Sequence, residues 1–260
     1  MRLRTQPKVA VASALSVFAL YGGWQSLTPD CGPNTGKSFR EEFTHMTSTS
    51  EYCGESRFNC EVRLPHWQKP IVVAVYSEEI EASAVDLIRS ITFRALAEIS
   101  EVSSIGVVDD PQLETNVLVF IMNDQMANRL SQPDAASVRF QPGSINRRAY
   151  DDQSCSGQFW ASSLAEIDEN QHQTILGGVI FVHHSLKNMN LESCIYEEIA
   201  GVVGLSNDPK GQPSLFSGGN YEVVDGQFKY SARTLLMFEA IYQIASGAFA
   251  DIDGFCNSQY

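Results

Sequence analysis

Positive charge is what this chain has least of. Its 260 residues carry 18 Lys and Arg against 31 Asp and Glu, a formal charge of −13. A nucleic-acid surface needs clustered cations to meet the phosphates, so no nucleic-acid partner is expected. The acidic balance suits solubility and leaves room for a cation or a basic partner. Histidine is scarce as well, with five in the whole chain, and His45, His66 and His172 stand apart from any metal-ligand spacing. None of the six cysteines falls into a zinc-ribbon pattern, and the chain has no internal repeat.

Long apolar runs are missing too. The run from Val9 to Leu20 fades through Tyr21, Gly22, Gly23 and Trp24. That is short of the ~20 residues that span a bilayer. It follows Arg2, Arg4 and Lys8, however, and a basic start before an apolar stretch is the plan of an export signal. No Ala-x-Ala site follows, and Cys31 in Thr-Pro-Asp-Cys is in the wrong setting for a lipoprotein signal. Residues 1–24 are therefore expected to be an uncleaved membrane anchor or, alternatively, a cleaved signal peptide. Either one puts the protein in the periplasm or on the periplasmic face of the inner membrane.

Cysteine usage agrees with export, because an even set suits bridges in an oxidising compartment. The expected pairs are Cys53 with Cys60 as a local clip and Cys155 with Cys194 as a long-range staple, which leaves Cys31 with Cys256. A nucleophilic Cys194 near His183 and His184 is the alternative.

An apolar fraction of 43% with 19% charged residues is that of a globular chain. Residues 25–62 are polar and read as a linker with a Cys loop, 63–250 as one folded domain, and 251–260 as a tail. Ile71 to Tyr76 and Asn116 to Met122 have the continuous apolar character of buried strands. Ala82, Val85, Ile88, Ile91, Ala95 and Ile99 recur at helical spacing, and Asp124 to Leu130 predicts a short helix. Residues 133–157 read as a solvated loop or a flap, and Gln158 to Ser162 with Ile175 to Val182 as a hairpin. Asn207 to Lys229 reads as a long loop, and Ser231 to Ser246 as a last helix. The fold class expected from this order is α+β, a small mixed sheet with helices packed on it.

The chemistry concentrates in Cys194 to Pro209. As a helix, this stretch puts Ile195, Ile199 and Val202 on a buried face, puts Cys194, Glu198, Gly201 and Leu205 on a neighbouring stripe, and stops at Gly204. Adjacent Glu197 and Glu198 on so apolar a helix are costly unless one faces a polar cleft or is paired. Asn207 and Asp208 follow at the helix exit and complete the candidate set. His183 and His184 end the preceding strand, where only one of them can point into the same cleft. The carboxylates would act on a substrate, or they would brace the Asn207–Asp208 loop by accepting backbone N–H bonds.

The spacing resembles the zinc-peptidase helix, in which two histidines four residues apart grip the metal and the glutamate after the first activates water. Glu198 then takes the general-base position, Glu197 and Gly201 stand where the histidines belong, and Asn207 stands at the third-ligand position. Cys194, Glu197, Glu198, Gly204, Leu205, Asn207 and Asp208, with Ser214-Leu215-Phe216, Ile241-Tyr242 and the Trp67-x-x-Pro70 opening, resemble the bacterial domain of unknown function 2927 family. The similarity spans roughly residues 65–247. It implies a zincin-like fold without an established activity. The family carries Gln where this chain has Gly201, and an acidic residue where it has Thr234. A degenerate zincin without catalytic zinc is the function expected, with an envelope protein or peptide as partner and no cofactor. The alternative is a hydrolase of peptide or peptidoglycan stem bonds that uses Glu198 as base and a hard divalent cation.

Overall fold

A computed structural model describes residues 39–48, 62–109, 113–132, 144–162, 172–208, 216 and 221–258. The chain opens with helix α1 (Phe39–Ser48) and a two-residue strand β1 (His66–Trp67), then β2 (Ile71–Tyr76) and the long helix α2 (Ala82–Ser103). Strands β3 (Val107–Val108) and β4 (Val117–Met122) follow, then helices α3 (Asp124–Leu130) and α4 (Ile145–Asp151). Next come β5 (Cys155–Ala161), β6 (Thr174–His183) and helix α5 (Asn188–Val203). The chain finishes with β7 (Tyr221–Val224), β8 (Gln227–Tyr230), α6 (Ala232–Ala245) and α7 (Ile252–Ser258).

The main sheet runs β1-β6-β4-β2-β3 in parallel, with β5 added antiparallel to β6. It is a mixed sheet with helices packed on it, as the order of elements predicts, and its mostly parallel strands make the arrangement α/β. The central strands β2, β4 and β6 are buried because both sheet faces are covered. Side chains alternate between the faces. Val117, Val119, Ile121, Ile180 and Val182 enter the large core shared with α2, α5 and α6. Phe120, Met122, Val179 and Phe181 turn the other way, onto Met126, Ala127 and Leu130 of α3. Helix α3 starts where Asn123 accepts a hydrogen bond from the Met126 amide, an ordinary side-chain cap.

Three stretches differ from the sequence expectation. The polar 25–62 segment contains α1, whose Phe39, Phe43 and Met46 lie within the core, so part of the supposed linker belongs to the folded body. Three well-spaced apolar residues were enough to dock a helix whose other positions are polar. Within 133–157, residues 145–151 form α4 instead of loop, capped by Ser144 accepting from the Arg147 amide. Within the long loop, β7 and β8 form a hairpin turned by Asp225 and Gly226, both at positive φ. Asp-Gly is the residue pair such a turn demands.

Cys155 is bridged to Cys194, as expected, with 6.0 Å between their Cα atoms. Cys256 on α7 is bridged as well, to a residue outside those described. Cys31, Cys53 and Cys60 also lie outside them, as do residues 1–24, the expected export signal or anchor. Among the described residues no helix is long and apolar enough to cross a membrane.

Candidate functional site

Helix α5 carries the candidate carboxylates, and its far end is fixed with unusual thoroughness. Gly204 ends it at φ 137°, a conformation that favours glycine. A Cβ there would lie 2.6 Å from the Pro65 carbonyl oxygen, so the close approach to the β1 strand also excludes a side chain. The last carbonyls, orphaned by the end of the helix, receive donors from elsewhere. Trp67 Nε1 donates to the Val202 carbonyl at 3.0 Å, and Tyr242 Oη donates to that of Val203 at 3.2 Å. Ser206 continues the anchoring, with its amide donating to the Met46 carbonyl of α1. The Trp67 and Tyr242 that carry the family resemblance are thus helix-end partners.

One stripe of α5, with members four residues apart, lies directly on the antiparallel edge of the sheet. Cys194 is bonded to Cys155. Glu198, one turn on, packs over Gly157 of the same strand. A Cβ on Gly157 would come within 2.8 Å of Glu198 Oε2, 3.0 Å of its Cβ and 3.1 Å of its carbonyl oxygen. Val202, a further turn on, fills the space over Gly178 of β6, 2.4 Å from where a Cβ would be. Glycine on two strands lets the helix backbone settle close to the sheet and holds Glu198 against β5.

The opposite side of α5 is closed by a polar network. Arg94 of α2 donates from Nε to Tyr196 Oη at 3.0 Å, and pairs through Nη2 with Glu192 Oε2 at 2.8 Å. Tyr196 in turn donates to Glu98 at 2.8 Å. The hairpin joins in, because the Phe228 amide donates to Glu192 and the Tyr230 amide to Glu98. Tyr230 Oη donates to the Tyr196 carbonyl at 2.7 Å. Burial pushes the Glu98 carboxyl above the ordinary range, against the opposing pull of the Tyr196 hydroxyl and the Tyr230 amide. Tyr230 is pushed well up by its own burial, with the charges of Glu98 and Glu197 adding to the effect. Tyr196, Glu192, Arg94 and Glu98 had no distinguishing spacing in the sequence, and only the contact of three separate elements reveals them.

Glu197 and Glu198 are half-buried, as are Asn207 and Asp208 past the helix end. Asn207 Oδ1 accepts from the Asp208 amide, a local turn contact. A Cβ added at Gly201, on α5 near Glu197 and Glu198, would meet no atom of the described residues within 4 Å.

The histidines lie elsewhere. Cys155 and Val182 are paired across the strands and share the α5 face, so His183, the next residue, faces the α3–α4 side. Its ring lies 5.3 Å from that of Tyr150 on α4. His184 is exposed. Of the two candidates, alternation sends His183 to the far face, and the His184 ring, past the end of β6, lies 4.7 Å from that of His183. Among the described residues no group of three or more His, Cys, Asp or Glu is arranged to hold a metal ion.

The class defined here is a mixed α/β domain in which the helix carrying Glu197 and Glu198 is clipped by a disulfide to the antiparallel strand β5 and seated on glycines of β5 and β6. The sequence profile of the family described as Protein of unknown function (DUF2927) matches residues 37–225, more than half of the chain, and the chain belongs to that family. No curated protein and no solved structure matches it.

Proposed function

We propose that this is an exported cell-envelope domain, a degenerate zincin without catalytic zinc. In this reading the acidic stripe of α5 and the free edge of β5 receive an extended segment of an envelope protein or peptide. The observation that carries the proposal is the donor set of the helix. Glu197 and Gly201 occupy the two positions where a zinc-peptidase helix has imidazoles, and glycine offers no ligand atom. A catalytic zinc normally keeps three protein ligands and an open position, and the residues at hand do not fit that ion.

Binding remains well served. Strand β5 is paired only with β6 among the described residues, so its outer edge offers the alternating donors and acceptors that an extended chain can match. Glu198 lies against that strand at Gly157. Its carboxylate, with that of Glu197, supplies attraction for a lysine, an arginine or an N-terminal amine. The Cys155–Cys194 bridge and the basic-then-apolar start of the chain support export.

The test uses the full-length chain purified without chelators. Metal analysis is expected to find no stoichiometric zinc. A basic extended peptide is expected to bind, with affinity falling about tenfold in Glu198→Gln as a charge-assisted hydrogen bond is lost. Stoichiometric zinc, together with peptide hydrolysis that disappears in Glu198→Gln, would overturn the proposal.

A further inference from the structure

The turn between β6 and α5 holds a buried imidazole whose protonation state is dictated by its neighbours. His183 is 7% exposed, and its Nδ1 accepts the Ser185 backbone amide at 3.2 Å. An amide nitrogen can only donate, so Nδ1 carries no proton in this arrangement. Ser185 Oγ lies 2.7 Å from the same nitrogen and 3.5 Å from Gln153 Oε1. The backbone of this turn is also shared: the His183 amide donates to the Ser154 carbonyl, the His184 amide to that of Met122, and the Leu186 amide to that of His183. The ring therefore sits where the end of β4, the α4–β5 connection and the start of α5 meet.

Among the described residues, the groups around this ring come from α3, α4, β4 and its own turn. From α4, Tyr150 contacts the ring, and Arg147 lies over Tyr150 while pairing with Asp151. From α3, Asp124 accepts the Tyr150 hydroxyl. On its own turn, the His184 ring lies 4.7 Å away. The β4 neighbour, Met122, is apolar.

We propose that His183 is a proton-operated latch holding α4 and the β6–α5 turn to the sheet, released when the ring takes up a second proton. A proton on Nδ1 would face the Ser185 N–H donor to donor, so the turn must rearrange. The emerging cation would also lie beside the His184 ring. Burial, and then His184, lower the affinity of the ring for a proton, while Asp124 partly opposes them. The sign follows from linkage. A base with a lowered folded pKa contributes stability that is complete above its free value of about 6.5 and is lost as the pH falls towards the folded value. The acid-labile unit is predicted to be α4 and the turn, since Tyr150 and Gln153 are the α4-side contacts of this cluster. The switch lies at the root of the helix that carries Glu197 and Glu198.

Amide hydrogen exchange of the full chain, corrected for intrinsic rates, tests the latch between pH 7.5 and 5. Opening of residues 145–154 is expected to rise by up to about tenfold per pH unit below pH ~6.5, the slope for uptake of one proton. Amides of α2 and α6 should not follow. His183→Asn, which keeps an acceptor near the Nδ1 position and cannot titrate there, should lose this pH dependence. His184→Gln should keep it with a higher midpoint. An unchanged acid response in His183→Asn would overturn the proposal. So would an NMR titration of the wild-type His183 ring with a midpoint at or above the free value, a measurement that stands even if the variant does not fold.

Discussion

The two sides of α5 carry acidic residues under opposite regimes. On the α2 side, the Glu192 carboxylate is held by Arg94 and the Phe228 amide, and Glu98 reaches across from α2 to Tyr196 and the Tyr230 amide. On the β5 side, Glu198 lies over a glycine, and Gly201 looks into open space. The difference separates carboxylates that hold helices and hairpin together from half-buried carboxylates on the part of the helix laid against β5. In the first group the acid is an internal cross-link, and its cost of desolvation is offset by partners fixed on three elements. In the second, the helix is pressed close to the strand and the carboxyl groups remain half-exposed.

Breaking the closed side should have the largest effect. Arg94→Met removes a cation bonded to both Tyr196 and Glu192, in a pair where the Arg94 and Glu192 side chains are 24% and 17% exposed. Loss of one partner from such a pair leaves a partly buried carboxylate uncompensated, and the expected cost is about 3 kcal/mol. Chemical denaturation measures it directly. A loss below about 1 kcal/mol would mean that the network is merely a solvated ion pair, of the kind that contributes little, and the contrast between the two sides would disappear.

How far the sequence led depends on which kind of signal each element carries. The central strands, α2 and α6 were legible because burial imposes its period on the residues directly. The stop at Gly204 and the Cys155–Cys194 bridge were also legible, one from a residue with a conformational privilege and the other from the even number of cysteines. Helix α1 was not, since Phe39, Phe43 and Met46 are diluted among polar residues and acquire meaning only once a core exists to receive them. The acidic pair on α5 stood out as an oddity, but nothing local foretold that Gly157 would lie beneath Glu198. The network around Tyr196 was invisible for the same reason: Arg94 and Glu192 are 98 positions apart. Strand alternation accounts for His183, which faces away from α5, but β6 ends there and the His184 ring lies 4.7 Å from that of His183.

The glycine beneath Glu198 gives the next test. In Gly157→Ala the new methyl would approach the Glu198 Cβ at 3.0 Å and its carbonyl oxygen at 3.1 Å. Neither is the far end of a flexible side chain. The helix must therefore lift or slide, although the Cys155–Cys194 bridge restrains it one turn away, and the expected loss is about 1–3 kcal/mol. Combining it with Glu198→Ala should recover only part of that loss, because the Cβ and the carbonyl remain. Full recovery would assign the conflict to the carboxylate alone and would mean that the helix backbone is not closely seated on β5.

The smallest expected effect has the opposite sign. Gly201 lies inside α5, where glycine is a poor helix former relative to alanine by about 0.5–1 kcal/mol, and a Cβ there would meet nothing within 4 Å. Gly201→Ala should therefore raise stability by roughly that amount, chiefly by restricting the unfolded chain. A thermal melt would register a rise of a few degrees at most for a chain of this size. A fall would mean that the space beside Glu197 and Glu198 is occupied in the folded protein, by its own chain or by a retained ligand. A rise would mean that packing does not demand glycine here. The family resemblance puts glutamine at this position, and the open surroundings of Gly201 would accept a longer side chain on the same terms as alanine. The missing side chain is then a difference at the surface of α5 beside Glu197 and Glu198, with no compensating gain inside the fold.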